Sequence, residues 1–460
     1  MTQAHAASGP LTMLTGWGRT APTAARVRTV VSAEEVVEAL RQPGGRGVLA
    51  RGLARSYGDA AQNAGGLVLD MRSLDRRLDL DSDAGTVSVD AGLSLHTLLA
   101  FLVPQGWFIG VTSGTRYVTV GGAIASDVHG KNHHADGGFC QWVERFTLAT
   151  PTGIVEVDPH SEPEVFWATA GGMGLTGVVT RATLRLLPIS STKMIVRTQR
   201  AADLDQALAL LSADRHRYSV AWIDLLATGA HTGRSVVSGA EHAGAGELTQ
   251  PTDLRTYAPK ARWSAPPFVP AGVLSLPTVR VFNEAWFRNA GRSNEALQSL
   301  SAFFHPLDGV KGWNRMYGPG GFVQYQFAVP TGAEQVLRAA VTALSRAQVP
   351  GFLAVLKRLG AQPGLLSFPI EGWTLTLDLP AATPDLAALL DWLDDRVAQA
   401  GGRVYLTKDA RMRPEHLPTM YPALDRWREV RDRLDPDGHM KSDLGRRLGL
   451  SPPGKGSHGH

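Results

Sequence analysis

GVTSGTRYVTVGGAIASDVHGKNHH, residues 110–134, crowds glycines, small hydroxyl side chains and three histidines into one stretch with little bulk. Chains place such runs where the backbone itself must come close to a ligand. Glycine puts no Cβ in the way, and unpaired N–H groups can face anionic oxygens. A second cluster, RGLARSYGD at 51–59, precedes it, and a third, GGMGLTG at 171–177, follows it. Three such loops in one region predict a large, phosphate-bearing ligand held by several turns.

The 460 residues exceed what one core usually holds and suit two or three domains. With 43% hydrophobic and 19% charged residues, the composition is that of an ordinary soluble protein. Its 50 glycines fall in blocks, which favours loop-built sites over low complexity. The net charge of +4 carries no concentrated basic stripe, which argues against a nucleic-acid partner. A single cysteine, Cys140, excludes a disulfide framework and a multi-cysteine metal site. Apolar runs such as Leu98–Val103 fall far short of the ~20 residues of a spanning helix. Residues 1–31 have no apolar core of an export signal. The expectation is a protein on the cytoplasmic side with peripheral contact to the plasma membrane, periplasmic siting staying open. The tail 451–460 is expected to be flexible.

Ser32-Ala33-Glu34-Glu35 has capping-box form and opens a helix that Pro43-Gly44 ends. Val48–Ala50, Leu67–Met71 and Thr86–Asp90 read as strands, Leu93–Val103 as a helix, and Trp142–Ala149 with Ile154–Val157 as a hairpin. A helix at Glu162–Ala170 and a long strand at Val178–Leu187 complete a mixed region, residues 1–190. Beyond Pro188 come longer strands (Lys193–Gln199, Tyr218–Leu226, Phe322–Val329, Thr374–Leu379) and helices (Ala202–Ala213, Ala333–Ala347, Pro384–Ala400). Gly239–Pro277 fits no element and reads as a mobile loop. Residues 322–359 and 372–409 share a strand–helix–strand plan. These patterns predict an α+β chain whose second domain, 191–402, is a mostly antiparallel sheet covered by helices. Residues 403–450, including a helix at Glu415–Leu434, then return to the first domain.

Gly172-x-Gly174-x-x-Gly177 has the dinucleotide spacing, but it follows a helix and opens a β-branched run, the reverse of the required context. Alone it reads as a helix-ending turn. Arg51–Asp59 is either a solvated turn or a pyrophosphate cradle built from Arg55, Ser56 and the nearby N–H groups. His129, His133 and His134 lack an accompanying carboxylate cluster, so no metal site is expected.

The order RGLARSYGD, SGTRYVTVGGAIASDVHGKNHH and FWATAGGMGLTG resembles the flavin-binding half of the vanillyl-alcohol oxidase/p-cresol methylhydroxylase superfamily. FFHPLD (303–308), WNRMYGP (313–319), FVQYQF (322–327), LSFPI (366–370) and YLTKD (405–409) are similar to one branch of it. Members of that branch oxidise the ribose of a decaprenyl-phosphate lipid at C2, the first half of an epimerisation that yields the arabinose donor for cell-wall arabinan. The resemblance covers most of residues 14–449, leaving out 239–277.

The resemblance implies FAD across Arg51, Gly52, Ala54, Arg55, Ser56, Tyr57 and Gly58, then Gly114, Thr115, Thr119, Gly121, Gly122 and Ala125. It continues through His129, Gly130, Asn132, Gly174, Gly177, Tyr405 and Lys408. Many relatives attach FAD through a histidine in the first loop; Arg55 and Ser56 stand there, so non-covalent FAD is implied. Lys131, Trp222, Tyr317, Gln324, Gln326, Lys357 and Thr376 are implied for the substrate. Lys408, Tyr57 and His129 are the candidates for handling the hydroxyl proton. At the position of Thr376 relatives often carry a cysteine that nitroaromatic agents trap.

Strand parity adds to this independently. Gln324 and Gln326 share one face, as do Thr374, Thr376 and Asp378, which suits a sugar or simply faces water. Lys408 shares parity with Val404 and Leu406, unless the strand stops at Leu406 and the lysine is a surface cation. The implied partners are a polyprenyl-phosphate pentose, an NAD(P)H-dependent keto-reductase, and quinone or dioxygen as electron acceptor. Two alternatives remain: a flavin oxidase of a soluble polyol or sugar lactone, and a glycolipid-binding protein without FAD.

Overall fold

The computed structural model describes residues 9–248, 254–270, 272–290 and 295–451. Two sheets occupy the first part. Strands Thr23–Thr29, Leu67–Asp70 and Val48–Arg51 run parallel in that order, with Leu11–Leu14 antiparallel at the edge. Helix Ala33–Arg41 makes the crossover, capped where expected: Ser32 Oγ accepts from Glu35 N, and Glu35 returns a bond to Val31 N at 2.9 Å. The second sheet centres on Val178–Pro188, which pairs with Thr86–Asp90, Val143–Thr150 and Trp107–Ile109. The hairpin at Val143–Thr150 and Gly153–Val157 forms around the Pro-Thr turn.

The second part is one eight-stranded antiparallel sheet whose order reveals more symmetry than the sequence suggests. Its first half runs Glu295–Ser299, Lys193–Ala201, Ser235–His242, Tyr218–Ile223; its second runs Ala354–Leu359, Gly372–Pro380, Phe322–Pro330, Arg403–Val404. Each half is a β-α-β-β-α-β unit with strand order 4-1-3-2, the split ferredoxin-like plan. The two join edge to edge where Ala221 and Trp222 pair with Leu356 and Val355. The strand–helix–strand resemblance of 322–359 and 372–409 is therefore internal to the second unit, and the larger repeat is 193–299 against 322–404.

Three expectations need correcting. Of the loop expected over Gly239–Pro277, residues 239–242 complete a central strand, Ser235–His242, and 276–277 open helix Leu276–Asn289. Gly239 sits there because a Cβ would meet the His216 ring at 2.4 Å, so a residue that normally breaks strands serves close packing. The helix expected over Glu415–Leu434 is broken at Tyr421-Pro422 into Leu417–Met420 and Leu424–Leu434, since proline cannot continue the ladder. The last strand ends at Val404, so Lys408 stands in a turn, its N–H bonded to Tyr405 O at 2.9 Å, and strand parity does not place it.

The chain end then folds back. Met440 bridges to Val48, Asp443 accepts from Ala64 N, and Arg447 pairs with Asp59 and Asp409. Among the described residues no helix is long and apolar enough to cross a membrane.

Candidate active site

Between the two parts lies a cavity of about 1020 Å³. Its wall takes the three glycine loops from one side and the polar face of the large sheet from the other. The close approach of these loops is dictated by their small residues. A Cβ on Gly52 would fall 2.3 Å from Thr119 Oγ1, the atom that caps helix Val120–Ala125 by accepting from Gly122 N. Gly110 lies under the Trp142 ring, where a Cβ would be 1.9 Å away. By contrast, nothing stands within 4 Å of a Cβ built on Gly114 or Gly174, although both line the cavity. Those two glycines border open space instead of protein. The third loop ends helix Pro163–Thr169 with Gly171 and Gly174 at φ 73° and 72°, a turn that glycine adopts without strain.

Most residues singled out in the sequence reach this wall. Arg51, Gly52, Ala54, Arg55, Ser56, Tyr57, Gly114, Thr115, Thr119, Gly121, Gly122, Ala125, His129, Gly130, Gly174, Gly177, Tyr405 and Lys408 line it. So do Lys131, Trp222, Gln324, Gln326, Lys357 and Thr376. Three do not. Gly58 packs against the return segment, where its Cβ would meet Asp409 O at 2.0 Å. Asn132 is buried and donates to Gly110 O and Asp136 Oδ2, tying the loop to itself. Tyr317 is buried with its ring stacked on Phe322 at 4.1 Å. These three support the wall from behind. His133 and His134 also serve structure: His133 Nδ1 accepts from Gly360 N, and His134 Nε2 pairs with His216 O.

The wall is electropositive. Arg51, Arg55, Lys131, Lys311, Lys357 and Lys408 line it, against one acid among the described residues, Asp308. Asp308 is already occupied by Thr115 Oγ1, Arg116 N and the Arg116 guanidinium. Arg51 is spent on the carbonyls of Ala61 and Thr15, and Arg55 bonds Tyr117 O and stacks 3.8 Å over Trp17. Burial lowers Lys131 to about 7, with Lys357 pushing the same way, and burial lowers Lys357 to about 8. Two desolvated lysines that disfavour each other's charge are relieved by an anion placed between them.

Around His129 the groups differ in what they can do with a proton. His129 lies against Phe368 and Tyr405, and its Nε2 accepts from Gln326 Nε2 at 2.8 Å. Gln326 also donates to Thr374 Oγ1, so both amide hydrogens are used. Burial, with Lys357, His133 and Lys408 adding to it, holds His129 well below the usual histidine range. Tyr57 is driven far above the phenol range by burial and by Asp378. Neither titrates near neutrality. Lys408, whose Nζ lies 3.9 Å over the Tyr57 ring, is brought down by burial, while Asp378 opposes the shift. Asp378 itself escaped notice as a site residue. The signal was present: it shares strand parity with Thr374 and Thr376, and pairs across the sheet with Gln324.

Residues 24–158 match the family described as FAD binding domain, and residues 384–448 match the family of D-arabinono-1,4-lactone oxidase. The chain is 41% identical over 449 residues to the decaprenylphosphoryl-β-D-ribose oxidase of Mycolicibacterium smegmatis, covering 95% of this chain and 97% of that protein. It is 43% identical over 371 residues to an uncharacterized protein of Streptomyces coelicolor, covering 78% of this chain and all of the other. A shorter similarity, 33% over 126 residues, reaches 27% of this chain and 28% of the L-gulonolactone oxidase of Bos taurus. A flavin dinucleotide fits the residues present: open space fronts Gly114 and Gly174, and His129 Nδ1 is buried without a protein partner. The first loop, 51–59, has no histidine or cysteine, so it offers no side chain for a covalent link there.

Proposed function

The chain belongs to the decaprenylphosphoryl-β-D-ribose oxidase family, and on that premise we propose that it uses FAD to oxidise the ribose C2 hydroxyl of this lipid to the 2-keto sugar. In this reading residues 1–190 hold the cofactor, 191–402 hold the sugar, and 403–450 close back on the first part. When bound, FAD supplies the two-electron acceptor for the C2 hydride. The glycine loops and Ser56, Thr115 and Thr119 hold the dinucleotide by backbone and hydroxyl contacts. Gln324, Gln326 and Thr376 present hydrogen-bonding groups to the pentose, and Lys131 and Lys357 take its phosphate. Lys408 receives the hydroxyl proton, because His129 and Tyr57 sit too far from neutrality to exchange it.

The observation that carries this reading is the continuous cavity, with glycine backbone at one side and desolvated lysines beside a polar strand face at the other. Contact with a membrane has its own support. Trp286 and Asn289 line the cavity from helix Leu276–Asn289, whose Val281 and Trp286 are 71% and 49% exposed. Trp263 and Phe268 are also exposed, at 76% and 73%, and Trp263 and Ser264 pair with Val310 and Lys311. Such an apolar rim suits entry of a lipid from an anionic surface. The keto product calls for a separate NAD(P)H-dependent reductase, and the reduced cofactor for quinone or dioxygen.

The lactone-oxidase match over 384–448 favours a second reading, oxidation of a soluble polyol or lactone. Anaerobic mixing with lipid-phosphate ribose, free alditols and sugar lactones separates the two. Bleaching of the flavin absorbance by the lipid alone supports the first reading. Equal bleaching by a small alditol or lactone overturns it.

A further inference from the structure

Asp378 lies beside the cavity wall, in register with the wall residue Gln324 across the sheet. It is completely buried. Gln324 Nε2 donates to Oδ1, while Oδ2 meets no hydrogen-bond donor at all. A buried carboxyl in that state either takes a proton or stays ionised beside a cation. The charged side chain facing it is Lys408, from the turn after the last strand. The phenols of Tyr57 and Tyr317 also face Asp378, while Lys357 and His129 face Lys408. Among the described residues Lys408, its Nζ 3.9 Å over the Tyr57 ring, is the cation whose charge acts on the carboxylate, from beyond direct ion-pair contact, and Lys357 pushes against its charge.

We propose that Asp378 is a positioning residue, the fixed counter-ion that holds Lys408 in the cavity wall and makes its amine basic enough to take the C2 hydroxyl proton. This rests on the reading above that the cavity oxidises a sugar hydroxyl. In the step concerned, the C2 O–H bond breaks and its proton passes to Lys408 in the molecules whose amine is unprotonated, giving the same ammonium that Asp378 stabilises at rest. The C2–H bond breaks and its electron pair leaves to FAD, the oxidant, as the C2=O bond forms. Positive charge then appears on Lys408 beside a carboxylate already in place, so little has to move when it does. Without Asp378, the new ammonium would meet Lys357 and buried phenols only. Burial alone pushes the amine toward its neutral form and the carboxyl toward its protonated form, and each charge draws out the other.

Trace acylation of the holoenzyme across a pH series, with Lys408 quantified by mass spectrometry, reads the amine directly and needs no substrate. Asp378→Asn should move the midpoint of Lys408 reactivity down by at least about one pH unit, a tenfold rise in reactivity below the original midpoint. Asp378→Glu should restore it. The acid limb of substrate-driven flavin bleaching should shift the same way, which a merely loosened site would not produce. An unmoved Lys408 midpoint in Asp378→Asn, or a Glu variant that behaves like Asn, overturns the proposal. Should Asp378→Asn fail to fold, Lys408→Met decides by infrared spectroscopy. Loss of the cation should protonate Asp378 and bring up a protonated-carboxyl band, and its absence overturns the pairing. If the labelling shifts but the lipid does not bleach the flavin, the pair stands and the substrate assignment falls.

Discussion

Gly114→Ala separates what this glycine does for the fold from what it does for the cofactor. A Cβ at 114 meets no protein atom within 4 Å, and the residue is absent from the positive-φ positions. The substitution should therefore leave the apoprotein no less stable, and should stabilise it by about 0.4–1 kcal/mol through the stiffer unfolded chain. The same methyl occupies space on the cavity wall between Ser113 and Thr115. If FAD fills that space, the methyl holds it off the backbone and costs at least one hydrogen bond to a charged group, about 1.5–3 kcal/mol. That is roughly a 10- to 150-fold weaker Kd. Denaturant titration of the apoprotein and fluorescence titration with FAD measure the two quantities on one sample. Gly110→Ala is the opposite control: its Cβ would lie 1.9 Å from the Trp142 ring, so it should destabilise the apoprotein directly. An FAD affinity within twofold of the unsubstituted chain, with stability preserved, refutes the cradle.

Lys408→Ala should lower the rate of substrate-driven flavin bleaching at least ~100-fold while FAD stays bound, since general-base transfer contributes about 10²–10⁴; loss of the flavin from the purified variant would make the lysine structural. Lys131 titrates near 7 in the folded chain, against the ordinary 10.5, so the unfolded chain binds more protons between those values. Apoprotein stability should then rise with pH across that window, as a denaturant series at several pH values would detect. Affinity for the lipid phosphate should fall over the same rise as the cation is lost, giving a KM that increases above pH 7. Replacing Val281 and Trp286 by serine should reduce sedimentation with anionic vesicles several-fold and leave it unchanged for free FAD binding. No thiol lines the cavity among the described residues, Cys140 being buried elsewhere, so nitroaromatic agents that trap a cysteine should leave no covalent adduct by mass spectrometry.

Local chemistry made much of this legible from sequence. The Ser32 capping box, the hairpin around Pro151-Thr152 and the parity of Gln324 and Gln326 each depend on neighbours within a few residues, and the structure has them in place. What could not be read depended on distant partners. Gly239 looks like a loop residue until His216 is known to lie against it. Lys408 reaches the cavity from a turn whose position is set by the Tyr405–Gln326 backbone bond, not by strand alternation. Gly58 carries the look of a cradle residue because the sequence cannot announce that Asp409 O will press on it. Asp378 was on the correct face, yet a lone aspartate gives no sign of its counter-ion until the turn bearing Lys408 is folded over it.

The two ferredoxin-like units divide the work of the substrate side, and the division has a physical origin. In the second unit both helices pack on the face away from the cavity: Tyr325 OH reaches Asp394, and Trp373 Nε1 reaches Glu334. With that face covered, the opposite one is free to carry Gln324, Gln326 and Thr376 into the cavity. In the first unit, helix Leu204–Ala213 keeps the covering position, joined to the second unit through Arg338 and Asp205. The corresponding second helix, Leu276–Asn289, instead brings Trp286 over Trp222 on the cavity side. An amphipathic helix moved off its sheet leaves apolar side chains uncovered, and Val281, Phe282 and Trp286 are exposed as a result. A soluble sugar needs no such rim, whereas a polyprenyl chain cannot leave a bilayer without one. Grafting polar residues along this helix should therefore raise KM for long-chain lipid far more than for a short-chain phosphoribose analogue. Equal loss for both would mean that the helix shapes the sugar site instead, and the division between the units would fail with it.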